Sequence, residues 1–167
     1  MEVLNYEIKN VQNPALGAII LWKFTVGWEQ ENPSTSPQLP VLFIVLPIVF
    51  HESTDCLLHG TMIKTGLRGF ASKFSKNVNV KADLLLSIND RALVMRELTL
   101  HSLSLSIGTG LISLNIKSCM VHAISTAYPK TTIPTSILPL LNDANQLGRL
   151  CSSLTLMEIA SILKVRF

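Results

Sequence analysis

The sequence predicts a mainly α-helical fold with a small β-hairpin or short strands, an α+β class, in one compact domain covering residues 1–167. Apolar residues recur at helical spacing in several separate segments, and a capping-box motif begins the last of them. One stretch, 111–124, mixes Ile, Val and Leu with polar residues in partial alternation, which is typical of short strands. A chain of 167 residues has the usual size of one domain and can bury roughly 70% of its unfolded surface.

The first helix is expected to begin at Asn13 and Pro14, because Asn is a strong N-cap and Pro is favoured in the first helical position. Its helical spacing continues to about Trp28. After a Pro-rich loop, the segment Leu39–Phe50 contains no charged or hydrogen-bonding side chain and must be buried on all sides. Periodicity does not separate helix from strand in so short an apolar run. We favour a short buried helix that bends at Pro47.

The segment 61–76 predicts an amphipathic helix with an apolar stripe and an opposite basic face. The stripe consists of Ile63, Leu67, Phe70 and Phe74, and the basic face of Lys64, Arg68, Lys73 and Lys76.

Three further helices are expected. The first covers roughly 91–106, is capped by Asn89 or Asp90 and ends at a Gly-Thr-Gly sequence. The second begins near Pro139, and the third starts at a Thr-x-x-Glu capping box and runs through Leu163. The apolar residues of the first two are Leu93, Val94, Leu98 and Leu105, and then Leu140, Ala144, Leu147, Cys151 and Leu154.

The composition indicates a subunit of a larger assembly. Charged residues make up 15% of the chain, against about 25% in an ordinary soluble domain, and the mean hydropathy is +0.40. A surface with so few charges should carry apolar patches, which mark partner or membrane surfaces. The longest apolar run has twelve residues, whereas a span needs roughly 20, so we expect no membrane partner and interpret the apolar surface as subunit interface.

The N-terminus and the cysteines favour a cytoplasmic protein. The sequence starts with Met1-Glu2 and lacks the basic n-region that begins a secretory signal. Three cysteines, Cys56, Cys119 and Cys151, are a sparse and odd set, so reduced thiols are expected rather than disulfides.

Two Cys-x-x-His pairs, Cys56 with His59 and Cys119 with His122, have residue types that can bind zinc. Both pairs lie in apolar segments without the Gly-rich knuckles that usually present zinc ligands, so ordinary packing is the favoured interpretation. His51-Glu52 with Asp55 nearby could be acid–base machinery, but its position after a buried run favours a return to solvent and a cap for the next turn. The sequence contains no phosphate-binding glycine loop and no serine nucleophile elbow. We therefore predict no enzyme, no cofactor and no metal.

The basic face of 61–76 is an alternative candidate site. Lys64, Arg68, Lys73 and Lys76 could neutralise a few phosphates of a DNA backbone, and no acidic residue interrupts them. A solvated helix face, or one that meets an acidic partner, explains the same pattern. The net charge of +3 does not by itself indicate nucleic-acid binding.

Four stretches occur in the order found in a known family. They are Asn13–Gly17 continuing into Leu21–Phe24, Leu39–Pro47 followed by His51, the 61–74 helix, and Leu147–Arg149 with a terminal Leu163–Arg166. In these stretches the chain resembles the middle component of three-component ABC systems, the small subunit of Lamassu-type antiphage defence. Lys164 stands where the family commonly has glycine, and Leu150 where it commonly has tryptophan.

The resemblance implies a non-catalytic adaptor between an SMC-like ABC ATPase and an effector, often a nuclease, which it helps to hold inactive until foreign DNA is engaged. We expect the partner interface around Trp22, Phe24, Trp28 and Arg149 and on the exposed side of the C-terminal helix, although aromatic residues at these spacings are also common in cores. An accessory DNA-contacting subunit that uses helix 61–76 is the alternative, and a small metalloenzyme is a third class.

Overall fold

The computed structural model describes residues 13–75, 81–127 and 133–167 and confirms a mainly helical fold with one small β-hairpin. The α-helices in these ranges are α1 (Pro14–Glu31), α2 (Val45–Val49), α3 (Glu52–His59), α4 (Gly66–Ser75), α5 (Lys81–Val94), α6 (Arg96–Gly108), α7 (Leu138–Cys151) and α8 (Leu156–Leu163). Short 3-10 segments cover Leu39–Ile44, Ile63–Thr65 and Thr135–Ile137. Strands β1 (Ile112–Asn115) and β2 (Met120–Ala123) pair antiparallel, with Ile112 opposite Ala123.

Helix α1 begins as predicted and lies at the centre of the fold. The Asn13 side chain accepts hydrogen bonds from the backbone N–H groups of Ala15 and Leu16, at 3.0 and 3.2 Å. The helix packs mainly against α7 and α6, and most of its side chains are buried. Burial on several sides explains why its sequence has few polar residues.

Glycines let α1 and α7 approach with their backbones in contact. A Cβ added to Gly148 would overlap Phe24 O and lie 2.8 Å from Trp28 N. A Cβ added to Gly27 would overlap the backbone carbonyl of Asn145 in the same way. The two helices therefore cross at a point where only hydrogen atoms fit between them.

The central apolar run is helical, as we favoured, but it bends elsewhere. It forms the 3-10 segment Leu39–Ile44 and then α2, with Pro47 in the first turn of α2, where a proline removes no intrahelical hydrogen bond. The sharp change of direction, 101° between Leu39–Val49 and Glu52–His59, falls after α2 instead. Among the described helices none could cross a membrane alone, and this bent pair is the one combination with the required length and composition.

The predicted helix 61–76 begins later than expected, and its predicted last residue lies outside the described residues. Gly66 has a positive φ of 63° and separates the 3-10 turn Ile63–Thr65 from α4. The apolar stripe is confirmed for α4: Leu67, Phe70 and Phe74 are buried, and the two phenylalanine rings meet edge to face at 5.1 Å.

The predicted N-terminal boundary of helix 91–106 is wrong. Helix α5 ends at Val94 and α6 begins at Arg96, so Asn89 and Asp90 lie inside α5 and cap nothing. Leu93 and Val94 are exposed. The predicted end, near Gly108, is correct.

The buried face of α6 explains the error, because three of its four buried residues are small and polar. Thr99, Ser102 and Ser106 are fully buried. The hydroxyl of Ser106 donates to Ala18 O at 3.3 Å, and Ser102 occupies the space that a Cβ at Gly17 would need. Small side chains let α6 approach α1, and apolar periodicity cannot reveal such a face.

The last helix is capped as predicted. Thr155 accepts a hydrogen bond from Glu158 N, and the Glu158 carboxylate accepts one from Thr155 N at 2.9 Å. The carboxylate also accepts a hydrogen bond from the Thr155 hydroxyl at 3.0 Å. The two bonds that Thr155 donates, from its backbone N–H and its hydroxyl, lower the pKa of Glu158. The helix ends at Leu163 and is followed by Lys164, which has left-handed backbone angles of φ 57° and ψ 35°. Glycine is the usual residue at a left-handed position that follows a helix.

Lys164→Gly is expected to stabilise the protein by about 1 kcal/mol, because glycine adopts left-handed angles without the Cβ penalty. Thermal unfolding would record this as a rise in Tm of about 2 to 4 °C. Lys164→Ala is the matched control, since it removes the same side chain and keeps the Cβ. Equal Tm values for the two variants would contradict the explanation.

Candidate functional site

The three aromatic residues expected at a partner interface lie in the core. Trp22, Phe24 and Trp28 are buried. The Trp22 indole donates to Ser125 O at 2.6 Å and the Trp28 indole to Thr35 Oγ1 at 3.1 Å, so both tie α1 to loops. In this conformation they offer almost no area to a partner, and their role in an interface stays a prediction.

Arg149 lies at the surface, where it joins α7 to the end of α1. Its Nε donates to Glu31 Oε2 at 2.8 Å, and both side chains are a little over one third exposed. A pair of this exposure contributes little to stability, roughly 0 to 1 kcal/mol. Contact of Arg149 with a partner remains a prediction.

An apolar groove of about 300 Å³ lies beside the C-terminal residues, between the 3-10 segment Leu39–Ile44 and helix α5. The backbone N–H of Arg166 donates to Asn89 Oδ1 at 3.0 Å and so holds the C-terminal residues against α5. Exposed Val94 directly follows the lining residue Leu93. We call this surface the C-terminal groove; its lining includes Leu39, Phe43, Leu93, Arg96, Val165 and Phe167.

Three of the four basic residues of 61–76 lie in the described ranges, and their surroundings differ. Lys64 lies in the 3-10 turn before Gly66, and Arg68 is 3.9 Å from Glu158 of α8. Lys73 Nζ donates to Leu57 O at 3.2 Å. Lys76 lies outside the described residues. DNA contact by these side chains therefore stays a prediction, because the positions of the described residues give it no further support.

The histidines of the two Cys-x-x-His pairs contact different acidic residues. His59 Nδ1 is 3.1 Å from Asp143 Oδ1, whereas His122 Nδ1 is 3.4 Å from Glu29 Oε1 and 2.8 Å from Ser36 Oγ. In the described ranges, one group of potential metal ligands lies close together, and it contains no cysteine. The zinc site that the two pairs could have formed is not assembled here.

The structure instead brings together Asp55 and His59 of α3 and Asp143 of α7. Their ligand atoms lie within 4.8 Å of one another. Burial, and then the neighbouring carboxyl group of Asp55, raise the pKa of Asp143 to about 8. Sequence analysis missed this group, which we call the Asp-His-Asp cluster. Its detectable part is the i, i+4 spacing of Asp55 and His59, which puts both on one helix face.

Comparison with known families identifies the class of protein. The model of a family of middle components of ABC-three component (ABC-3C) systems matches residues 1–167. The chain belongs to this family, ABC-three component system Middle Component 3. Searches of curated proteins and of solved structures gave no match. The protein is therefore one component of a multi-component ABC system, and its partners are other components of that system.

Proposed function

We propose that this chain is a non-catalytic adaptor in a cytoplasmic, Lamassu-type defence complex. It bridges an SMC-like ABC ATPase and an effector, often a nuclease, and helps to keep the effector inactive until foreign DNA is engaged. The observation that carries the proposal is the family match over residues 1–167.

The exposed apolar surface supports an adaptor role. Val94 is 84% exposed and Leu93 is 64% exposed, beside a groove that is itself mostly apolar. An isolated monomer gains nothing from such a surface, whereas an obligate interface buries roughly 2,000 Å² or more of core-like character. We assign the C-terminal groove as the docking surface for a component of the same ABC system.

Co-expression with the ATPase and the effector of the same ABC system tests the adaptor role. We expect the three proteins to co-elute in size-exclusion chromatography, and the effector to become active without foreign DNA when this chain is omitted. Elution of this chain alone in the presence of both partners would contradict bridging. An effector that stays inactive without this chain, or turnover by the chain itself, would contradict the inhibitory or the non-catalytic role.

A charged substitution tests the docking surface. Leu93→Glu should weaken co-elution at least tenfold, because Leu93 lines the groove and the glutamate would lose its hydration in an apolar interface. Ile124→Glu is the matched control, since Ile124 is 60% exposed, close to the 64% of Leu93, and directly follows strand β2 rather than lining the groove. Unchanged assembly of the Leu93 variant would contradict the assignment of the groove.

A further inference from the structure

The Asp-His-Asp cluster has the dimensions of a metal site. His59 Nδ1 lies 3.1 Å from Asp143 Oδ1 and 3.7 Å from Asp55 Oδ1. Two ligand atoms bound at about 2.1 Å from one ion are about 3.0 Å apart at a right angle and about 3.4 Å apart at the tetrahedral angle. The observed separations therefore need only small side-chain shifts to meet a single ion.

A second observation concerns unsatisfied oxygen atoms. The Asp143 side chain is 1% exposed, and its Oδ2 is buried without a hydrogen-bond partner. Asp55 Oδ1 is also buried and lacks a hydrogen-bond partner. Buried carboxylates are normally paired or coordinate metal ions, because burial of an unpaired charge is costly.

We propose that Asp55, His59 and Asp143 bind one divalent transition-metal ion, which fastens α3 to α7. One imidazole with two carboxylates suits Zn²⁺ or Mn²⁺, and the charges of the two carboxylates balance that of the ion. His59 is 56% exposed and gives the ion a path from solvent. The ion binds both aspartates as carboxylates and His59 as the neutral imidazole, so a proton carried by any of the three leaves to solvent on binding.

The end of α3 is already held in position for this role. Gln146 of α7 donates from its Nε2 to Leu58 O at 2.9 Å, next to His59 in sequence. This bond joins the same two helices as the proposed ion. The three ligands are thus positioned before the metal arrives, which limits the ordering cost of binding.

Thermal unfolding of the chelator-treated full chain, with and without Zn²⁺ or Mn²⁺, tests the proposal. A metal at a hundredfold excess over its Kd is expected to raise Tm by about 5 to 10 °C. Titration calorimetry should give one ion per chain. Absence of both effects for both metals would overturn the proposal.

Variants locate the site. Asp143→Asn keeps the side-chain volume and should abolish the metal-dependent rise in Tm, and His59→Ala should do the same from the exposed end of α3. His122→Ala is the matched control, because this histidine also contacts a carboxylate, that of Glu29, and is 47% exposed. A rise in Tm that persists in the His59 variant, or that disappears in the His122 variant, would overturn the assignment.

Discussion

Gly148→Ala is expected to destabilise the protein by about 3 kcal/mol or more. The new methyl group would collide with Phe24 O and lie 2.8 Å from Trp28 N, both of them backbone atoms of α1. A flexible side chain could move aside, but a helix backbone in a packed core cannot, so α1 and α7 must separate and lose contacts along their length. Thermal unfolding should show Tm lower by about 6 to 12 °C.

Gly108→Ala is the matched control for this substitution. Gly108 is the last residue of α6, and a Cβ there would meet nothing within 4 Å. The same chemical change should therefore leave the stability unchanged or raise it by up to about 1 kcal/mol, because alanine restricts the unfolded chain. Equal Tm values for the two variants would contradict a close backbone contact between α1 and α7.

Phe70→Ala is expected to lower the free energy of unfolding by about 3 to 5 kcal/mol. Its ring is fully buried and packs edge to face on Phe74, at 5.1 Å between centroids. Removal of the ring leaves a cavity and loses the transfer free energy of a large apolar side chain. Urea denaturation measures the loss as a lower midpoint at constant slope.

Arg68→Ala on the same helix is the control. Arg68 is exposed, and its contact with Glu158, at 3.9 Å, is a weak surface pair. Its removal should change the free energy of unfolding by no more than about 0.5 kcal/mol. A loss as large as that of Phe70→Ala would show that the basic face, and not the apolar stripe, attaches α4 to the core.

The sequence predicted those elements whose boundaries have a local chemical cause. Asn13 with Pro14 and the Thr155 capping box both mark helix starts that the structure confirms. The hairpin and the buried stripe of α4 follow from period-two and period-four spacing of apolar residues. These features depend on neighbours along the chain, so a single sequence contains them.

The missed features depend on contacts between distant segments. The serines of α6 are buried because their small side chains let α6 pack closely against α1. Val94 is apolar but lies exposed at the surface, outside the core. Asp143 meets His59 only after α3 and α7 pack, so neither the raised pKa of Asp143 nor the cluster could be predicted from spacing. For this reason we predict no metal site from the sequence, whereas we propose one at Asp55, His59 and Asp143 from the structure.

The central position of α1 has a consequence for synthesis. This helix of 18 residues is enclosed by α6 and α7, which end at Gly108 and Cys151. Because α1 precedes both of these helices in the chain, its apolar surface remains uncovered during translation until α7 has been made. Nascent chains with long-lived apolar surface aggregate readily, so production of this subunit should depend on chaperones or on early capture by its assembly.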